Sequence, residues 1–547
     1  MQQFTSPLNA FLHWEKTSPN KEYLRQYVNG GLEIYTFKKA GDEARRIATA
    51  IKGFGLPPKS KVALLSSNCA HWVMADLAIM MSGNTCVPIY PTLGADTIEY
   101  ILGHSEAKAI IIGKLLDFES QKPAIKKMQI ISVELYGIKE EHTWEKLIAQ
   151  NEPLQQTAEQ NSEHLFTIIY TSGTTGNPKG VMHTVGTITN GAHNGTNLIQ
   201  TKEHPKFFSF LPLAHVAERA ITEIGAMFRG GSMTFAESLE TFASNLEATQ
   251  PDVFFAVPRI WAKFQEKILI GMPQKKLDKL LRLPIVGNIV NKKIKKKLGL
   301  TNAKHIISGA APIAVSLLEW YNKLGITILQ GYGMTEDCII SHFNMPNANK
   351  FGTVGKPAYG ATAKLSPDGE ICVLNNCLMK GYYKNPEATA ESFDDEGYLK
   401  TGDVGEYDHD GYLTITGRAK DQFKTDKGKY IFPAPIELEL SKNPYIEQVC
   451  IVGMGIPQPI LLIVLSEEGR KISKDELSEN LSNMIQDINP TLEKHEKIEK
   501  AVIMSEEWTV ENGLMTPTLK LKRSQVEKIH MPMYKSWFDS GDNVIFE

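Results

Sequence analysis

The chain has 547 residues, of which 42% are hydrophobic and 22% charged, and its formal net charge at pH 7 is -3. This length exceeds that of most single hydrophobic cores, so we expect two or more domains. The near-neutral charge argues against the basic surface of a nucleic-acid-binding protein, and the composition argues against disordered and fibrous classes.

Cysteine usage and the apolar segments bear on cellular location. The six cysteines are scattered without a CxxC pair, which favours reduced thiols over a disulfide framework or a structural metal site. Residues 1–14 lack the charged and then apolar pattern of a signal peptide. The longest apolar segment, residues 72–81, contains Asp76, is too short to span a bilayer and is predicted to be a buried helix. A cytoplasmic protein is expected.

Helical and strand patterns alternate through the first part of the chain. Amphipathic or apolar helices are predicted at residues 37–53 and 71–81. Strands rich in β-branched residues are predicted at residues 61–65, 85–90, 164–170, 206–211, 252–256, 305–308 and 326–330. The alternation predicts an α/β fold in which helices cover β-sheets.

The pattern changes in the last third of the chain. Residues 369–416 are rich in Gly, Asp, Tyr and Asn, which predicts a β-rich subdomain. After the charged segment 419–429, a smaller α/β unit is predicted, with helices at 436–440 and 475–488 and strands at 448–452 and 460–465. We place a domain boundary near Lys420, so that residues 1–419 form a large N-terminal domain and residues 420–547 a small C-terminal one.

A lysine-rich segment follows an apolar run in the middle of the chain. Residues 283–290 are mostly apolar, and the lysines after them are Lys292, Lys293, Lys295, Lys296 and Lys297. One interpretation is a helix on a membrane surface that anionic lipid attracts, giving peripheral membrane contact. The other is a solvated face over the core, the more common role of a charge run on a helix.

Residues 170–180, YTSGTTGNPKG, predict a site for a polyphosphate. Three glycines allow backbone N–H groups to converge on an anion, and the segment adds hydroxyl donors and a lysine charge. Its candidate ligands are Thr171, Ser172, Gly173, Thr174, Thr175, Gly176 and Lys179. A Walker loop is excluded because Pro178 precedes the lysine and Gly180 follows it. The alternative, a Ser/Thr/Gly-rich surface turn, leaves the Pro-Lys-Gly ending unexplained.

This segment resembles the signature of the adenylate-forming superfamily, which contains acyl-CoA synthetases, luciferases and the adenylation domains of peptide synthetases. The resemblance runs from about Lys61 to Arg523 and includes SGAAP at 308–312, QGYGMTE at 330–336, LKTGD at 399–403 and Gly417-Arg418. It implies a large domain of helix-covered sheets with a β-rich subdomain, followed by a small mobile C-terminal α/β domain. It also implies that ATP, Mg²⁺ and coenzyme A are bound.

The resemblance assigns nucleotide-binding roles to individual residues. By similarity, Tyr332 stacks on adenine, Thr335 binds the α-phosphate, and Glu336 and Thr171 help to hold Mg²⁺; an aromatic face suits a purine and a carboxylate suits a hard cation. Asp403 binds the ribose hydroxyls, and Arg418 adds a ribose or phosphate contact. Neighbouring pocket residues are Gly309, Ala310, Gly333 and Met334. In isolation, each motif also fits a Gly-rich turn or a tightly packed core.

The resemblance also implies how the C-terminal domain works. Lys420 occupies the hinge position, and residues 424–429, beginning with Lys424, form the loop that faces the thiol tunnel. Residues 516–523, TPTLKLKR, resemble the C-terminal catalytic segment, although Leu519 replaces the commoner glycine and Lys522 precedes the arginine. This departure favours the long-chain fatty acyl-CoA synthetase branch. Lys520 is the predicted catalytic lysine and Lys522 its competitor, whereas an isolated basic run is usually a solvated surface.

Residues 211–219, LPLAHVAER, match the segment at the acyl pocket of this superfamily. His215 is predicted to lie near the substrate carboxylate, where an imidazole supports a carboxylate or thioester oxygen. The alternative is a histidine satisfied within the core. Residues 257–261 also resemble the long-chain branch and are predicted to line the acyl channel.

Together these assignments predict an ATP-dependent ligase that joins a medium- or long-chain fatty acid to coenzyme A through an acyl-adenylate. An enzyme that stops at the adenylate or loads a carrier protein remains an alternative, as does a catalytically dead nucleotide- or lipid-binding homologue. The dead-scaffold interpretation does not account for the full set of Lys179, Glu336, Asp403, Arg418 and Lys520. A luciferase-like oxidation has no separate sequence support.

Overall fold

The computed structural model describes residues 3–125, 128–171, 177–426, 428–510, 512–516 and 520–547. Within these ranges the chain divides into two compact units. The first takes in residues 1–171, 178–363 and 373–399, and the second residues 172–177, 364–372 and 400–547, in so far as they are described. The boundary near Lys420 stays a prediction.

Two large sheets organise the first unit. In spatial order, the nine-stranded sheet contains Lys356–Pro357, His342–Phe343, Leu329–Tyr332, His305–Ser308, Val253–Ala256, Lys206–Ser209, Ser232–Phe235, Glu22–Val28 and Gly31–Thr36. The eight-stranded sheet contains Gly381–Tyr382, Lys179–Thr184, Leu165–Thr171, Thr85–Ile89, Lys61–Leu65, Ala109–Ile112, Gln129–Ser132 and His142–Thr143. Parallel pairing dominates the interior of both sheets, as expected when helices cover their faces.

The helices of the first unit pack on these sheets. They are Pro7–Thr17, Phe37–Gly53, Ala70–Met81, Ala95–Ser105, Phe118–Gln121, Trp144–Gln150, Val185–Leu198, Val216–Glu218, Gly225–Arg229, Phe242–Thr249, Pro258–Gly271, Gln274–Leu281, Pro284–Lys297, Val315–Lys323 and Pro386–Glu391. A π-helix, Arg219–Ile224, joins Val216–Glu218 to Gly225–Arg229, and short 3-10 turns lie at Lys122–Ile125 and Glu134–Tyr136. Every residue of Ala70–Met81 is buried, which confirms the predicted buried helix.

One strand prediction was wrong at its start. Residues 326–330 were predicted, whereas the strand is Leu329–Tyr332. The preceding helix ends at Lys323, Gly325 just after it has φ +70°, and the Ile326 amide donates to the Tyr321 carbonyl at 3.0 Å. Residues 326–328 therefore connect the helix to the strand and are not part of the strand, although Ile326 and Ile328 are fully buried.

The predicted β-rich stretch forms a four-stranded sheet of Ala361–Leu365, Glu370–Asn375, Leu399–Tyr407 and Leu413–Arg418. A two-stranded ribbon, Phe423–Lys424 with Tyr430–Ile431, follows it. The second unit then contains a four-stranded sheet of Ile446–Val452, Ile460–Leu465, Lys500–Ile503 and Val544–Phe546. Its helices are Pro433–Leu440, Lys474–Ile488, Arg523–His530 and Tyr534–Phe538, with 3-10 turns at Asn489–Thr491 and Met531–Met533.

Alternate residues of this last sheet face two separate cores. Ile451 and Leu461 pack in one core, and Val452 and Leu462 pack in the other. The period-two alternation buries both faces, so this sheet is covered on each side. The α/β prediction, with a small C-terminal unit, is confirmed.

The described part of the chain bears on the predictions about cysteines and about membrane-spanning helices. All six cysteines lie within the described ranges, and each is a buried free thiol. Among the described residues, no helix combines the length and the apolar character needed to cross a membrane.

Candidate functional site

The ends of the predicted phosphate loop are fixed by an antiparallel strand pair. Tyr170 pairs with Gly180 and Thr171 with Lys179, and the Thr171 hydroxyl donates to the Lys179 carbonyl at 3.5 Å. Gly180 is packed so closely that an added Cβ would lie 2.7 Å from a methyl group of Ile168. The predicted ligands Ser172, Gly173, Thr174, Thr175 and Gly176 lie outside the described residues.

A tyrosine links the loop lysine to the predicted metal ligand. The Tyr382 hydroxyl donates to Oε1 of Glu336 at 2.8 Å, and the Lys179 ammonium lies 4.9 Å from the centre of the Tyr382 ring. Burial and the charge of Glu336 raise the pKa of Tyr382 well above its usual range, so its proton stays in place to donate. Strand pairing of Gly381–Tyr382 against Lys179–Thr184 places Tyr382 beside the strand that begins at Lys179. We call Lys179, Tyr382 and Glu336 the phosphate-site triad.

The triad bears on whether a magnesium ion fits. Glu336 is 7% exposed, and one of its oxygens already accepts from Tyr382. Among the described residues, no group of three or more His, Cys, Asp or Glu side chains could hold a metal ion. A single buried carboxylate fits Mg²⁺ that takes its remaining oxygen ligands from phosphates and water, which is how this ion usually binds beside nucleotides.

Backbone geometry makes glycine necessary at two positions of the predicted nucleotide pocket. A Cβ on Gly309 would lie 2.8 Å from the Gly331 carbonyl oxygen, and one on Gly333 would lie 2.5 Å from the Ile339 Cα. Ala310 has φ 65°, in the left-handed region. The ends of two adjacent parallel strands therefore approach each other without side chains between them.

The turn after Tyr332 is held in place from both sides. The Met334 amide donates to Oδ1 of Asp337 at 2.8 Å. His183 is buried, which lowers its pKa to about 4 and keeps the imidazole neutral, and its Nε2–H donates to the Thr335 carbonyl at 2.7 Å. These bonds fix the backbone that carries Thr335 and Glu336.

His215 occupies a helix N-cap. Its Nδ1 accepts from the Ala217 amide at 3.1 Å, at the start of Val216–Glu218. In the neutral ring the proton is therefore on Nε2. Both predicted alternatives, a substrate contact and a histidine with a local structural role, are compatible with this arrangement.

A charged cluster is buried directly after this cap. Nη2 of Arg219 donates to Asp76 at 2.6 Å, and Nη1 donates to the Thr167 hydroxyl at 2.8 Å. Nε of Arg219 lies 3.4 Å from a Glu223 carboxylate oxygen. Burial and the neighbouring Asp76 raise the pKa of Glu223 well above its usual range. The two carboxyl groups therefore share one proton, and the Arg219 guanidinium balances the negative charge that remains.

In the second unit, the two residues predicted to bind ribose are partners. Asp403 and Arg418 face each other across paired strands, and Nε of Arg418 donates to Oδ1 of Asp403 at 2.8 Å. Lys420 lies in the turn that follows, and the Lys424 ammonium lies 4.6 Å from the centre of the Tyr430 ring. The carboxylate predicted to accept ribose hydroxyls is thus held in place by the arginine.

Lys520 and Lys522 lie in different surroundings. Lys520 is exposed, and its backbone amide donates to the Thr516 hydroxyl at 3.0 Å. Lys522 is half-buried, with its amide donating to the Leu514 carbonyl at 2.8 Å. Arg523 is anchored by hydrogen bonds to the Ile451 carbonyl and to Glu437. Residues 517–519 lie outside the described ranges.

Comparison with known proteins decides the family. The sequence profile of the AMP-binding enzyme matches residues 11–383, and that of the AMP-binding enzyme C-terminal domain matches residues 420–533. The chain belongs to the AMP-binding enzyme family. The predicted resemblance and the prediction of an enzyme are thereby confirmed.

Relatives of this AMP-binding enzyme include long-chain synthetases. It is 28% identical to the long-chain-fatty-acid–CoA ligase FadD15 of Mycobacterium bovis, over 94% of this chain and 93% of the relative. It is also 28% identical to fatty acyl-CoA synthetase A of Dictyostelium discoideum, over 93% and 86%. The fold resembles the anthranilate CoA ligase AuaEII bound to anthranoyl-AMP, with TM-score 0.78, 21% identity, and coverage of 97% and 98%.

Sequence reasoning missed three contributors to the site of this AMP-binding enzyme. Tyr382 was not singled out, because nothing in its local sequence pointed to its contact with Glu336, 46 positions away. His183 and Arg219 act through partners 152 and 143 positions away. A buried Asp76 within an apolar helix was the one sequence signal, since such a carboxylate requires a partner.

Glu218 predicts a pH dependence of stability. It is buried, its oxygens make no hydrogen bond of normal geometry within the described chain, and burial raises its pKa from 4.5 to about 8. Between these values the folded protein keeps a proton that the unfolded chain has lost. This contribution is therefore fully present at low pH and is lost as pH rises, by up to about 1.4 kcal/mol per pH unit.

The Glu218→Gln variant is expected to flatten this part of the pH profile, because its neutral amide does not titrate. Urea unfolding from pH 5 to pH 8 measures the effect as the difference between wild type and variant. The exposed Glu163→Gln variant is the control and should follow the wild type. Parallel profiles for wild type and Glu218→Gln would contradict a neutral buried carboxyl group.

Proposed function

We propose that this AMP-binding enzyme is an ATP-dependent fatty acid:CoA ligase acting on medium- or long-chain acids. The phosphate-site triad is the observation that carries the proposal, because it places an ammonium beside a phenol and a buried carboxylate at the end of the phosphate loop. The long-chain ligases among its relatives, aligned over almost the whole chain, support this class of acid.

In the first half-reaction, a carboxylate oxygen of the acid attacks the α-phosphorus of ATP and pyrophosphate leaves. The carboxylate is already ionised at neutral pH, so no base is required. The barrier is repulsion between anions, which positive charge and backbone donors reduce. We assign the loop from Thr171 to Lys179 to the β- and γ-phosphates, Thr335 to the α-phosphate, and Lys520 to the charge that develops during transfer.

The remaining nucleotide contacts follow the same assignment. Tyr332 stacks on adenine, with Gly309, Ala310, Gly333 and Met334 around the pocket. Asp403 accepts from the ribose hydroxyls while Arg418 orients it. Glu336 and Thr171 would hold Mg²⁺, which would neutralise phosphate charge when bound.

In the second half-reaction, the sulfur of coenzyme A attacks the acyl carbon, its proton goes to solvent, and AMP leaves with the former carboxylate oxygen. We propose that residues 420–547 act as a mobile domain that rotates about Lys420 and exchanges Lys520 for the loop beginning at Lys424. His215 would support the carboxylate or thioester oxygen. The protein would act in the cytoplasm.

The proposal is tested by pyrophosphate release with acids of increasing chain length, with and without coenzyme A. We expect release to require a fatty acid, and coenzyme A to give AMP and thioester in equal amounts. Release without any coenzyme-A-dependent product would favour an enzyme that loads a carrier protein. No release with any acid would overturn the proposal in favour of a dead scaffold.

A further inference from the structure

The helix Pro284–Lys297 exposes large apolar side chains at its start. Leu283 is 51% exposed, Ile285 79% and Ile289 61%. On the other side of the same helix, Val290 and Ile294 pack against a buried core. A surface helix normally turns polar residues to solvent, so apolar side chains on the outer side require an explanation.

Lysines continue the same outer face towards the end of the helix. Lys292, Lys293 and Lys296 are exposed, and their spacing from Ile285 and Ile289 places all five on one side at 3.6 residues per turn. Residues 274–297 contain nine Lys or Arg and a single Asp, in a chain whose net charge is -3. Positive charge is therefore concentrated beside the exposed apolar group.

This combination distinguishes between kinds of partner. A solvated face would account for the lysines but not for the isoleucines beside them. Protein interfaces are depleted in lysine, whereas helices that lie on membranes combine apolar side chains with lysines that meet anionic headgroups. We define the basic–apolar surface as Leu283, Ile285, Ile289, Lys292, Lys293 and Lys296.

We propose that the basic–apolar surface docks on an anionic lipid bilayer. Ile285, Ile289 and Leu283 enter the boundary between headgroups and acyl chains, and the lysines contact lipid phosphates. The membrane that holds the helix is also a reservoir of fatty acid. Only this last connection rests on the proposed function, because docking itself requires no ATP, acid or coenzyme A.

The test is co-sedimentation of the full chain with phosphatidylcholine vesicles that contain or lack phosphatidylglycerol, without substrates. We expect binding to the anionic vesicles only, weakening with added salt. The Lys292→Gln/Lys293→Gln variant should bind on the order of 30-fold more weakly, because about 1 kcal/mol is lost for each of the two lysines. The Ile285→Ser/Ile289→Ser variant should lose at least about 10-fold, because the inserted apolar area is removed.

Matched variants change exposed residues outside this surface. Leu116→Ser/Leu239→Ser replaces two side chains that are 98% and 91% exposed, and Lys52→Gln/Lys146→Gln removes two exposed lysines. Both should bind like the wild type. Equal losses in test and control variants, equal binding to neutral and anionic vesicles, or no binding would each overturn the proposal. Pyrophosphate release with dispersed fatty acid is measured separately, so a chain that binds vesicles without catalysis would count against the proposed function alone.

Discussion

Replacement of Lys520 by alanine is expected to slow acyl-adenylate formation by about 10²–10³-fold, the usual cost of losing one electrostatic stabiliser of a transition state. Lys520 is exposed, and its segment is anchored through Arg523 within the second unit. The ammonium can therefore be removed without disturbing a packed core. Pyrophosphate release in the absence of coenzyme A measures this half-reaction.

The same variant should form thioester from supplied acyl-AMP and coenzyme A at close to the wild-type rate, because the proposed rotation about Lys420 takes Lys520 away from the site for this step. Lys522→Ala is the matched control, since Lys522 lies two residues away and is the competing candidate. Equal losses in both half-reactions would contradict the two-pose account. Loss of adenylation in Lys522→Ala with activity retained in Lys520→Ala would reverse the assignment.

Replacement of Arg219 by leucine is expected to destabilise the first unit by about 3–5 kcal/mol, the range for breaking a buried ion pair from one side. The guanidinium is 3% exposed and faces both Asp76 and Glu223. Its Cζ also lies 4.8 Å from the Phe166 ring centre. Without it, the Asp76 carboxylate is left buried and uncompensated.

The loss is measured as a shift in the urea unfolding midpoint. Lys139→Gln is the control, because Lys139 and Glu134 form an ion pair that is 63% and 40% exposed. Such a pair contributes about 0–1 kcal/mol, so this variant should stay near the wild type. An Arg219→Leu shift as small as that of the control would show that the buried cluster adds little to stability.

Local pattern explains how much of the fold could be predicted. The helix Phe37–Gly53 and the strands Lys61–Leu65, His305–Ser308 and Ile460–Leu465 have the predicted bounds. In each case the apolar periodicity lies within the segment, and residues that end helices or strands lie directly beside it. The start of the strand Leu329–Tyr332 was misplaced because Gly325, in the left-handed conformation, turns the chain out of the preceding helix. Apolar periodicity alone does not show where such a turn occurs.

Site residues divide in the same way. Glu336, Asp403 and Lys179 could be proposed from the sequence because each belongs to a short contiguous motif. Tyr382 and His183 were missed because their roles depend on strand pairing and on a contact between distant segments. The sequence left the exposure of Ile285 undecided, because an apolar run followed by lysines fits both a helix on a membrane surface and a helix over the core.

The central claim is that the acid is activated as an acyl-adenylate, and the fate of a labelled carboxylate oxygen tests it most directly. In the pyrophosphate assay with coenzyme A, the fatty acid carries isotopic label in both carboxylate oxygens, and the masses of the products are measured by mass spectrometry. The account predicts one labelled oxygen in each AMP released and none in pyrophosphate. Label in inorganic phosphate, or AMP without label, would contradict it.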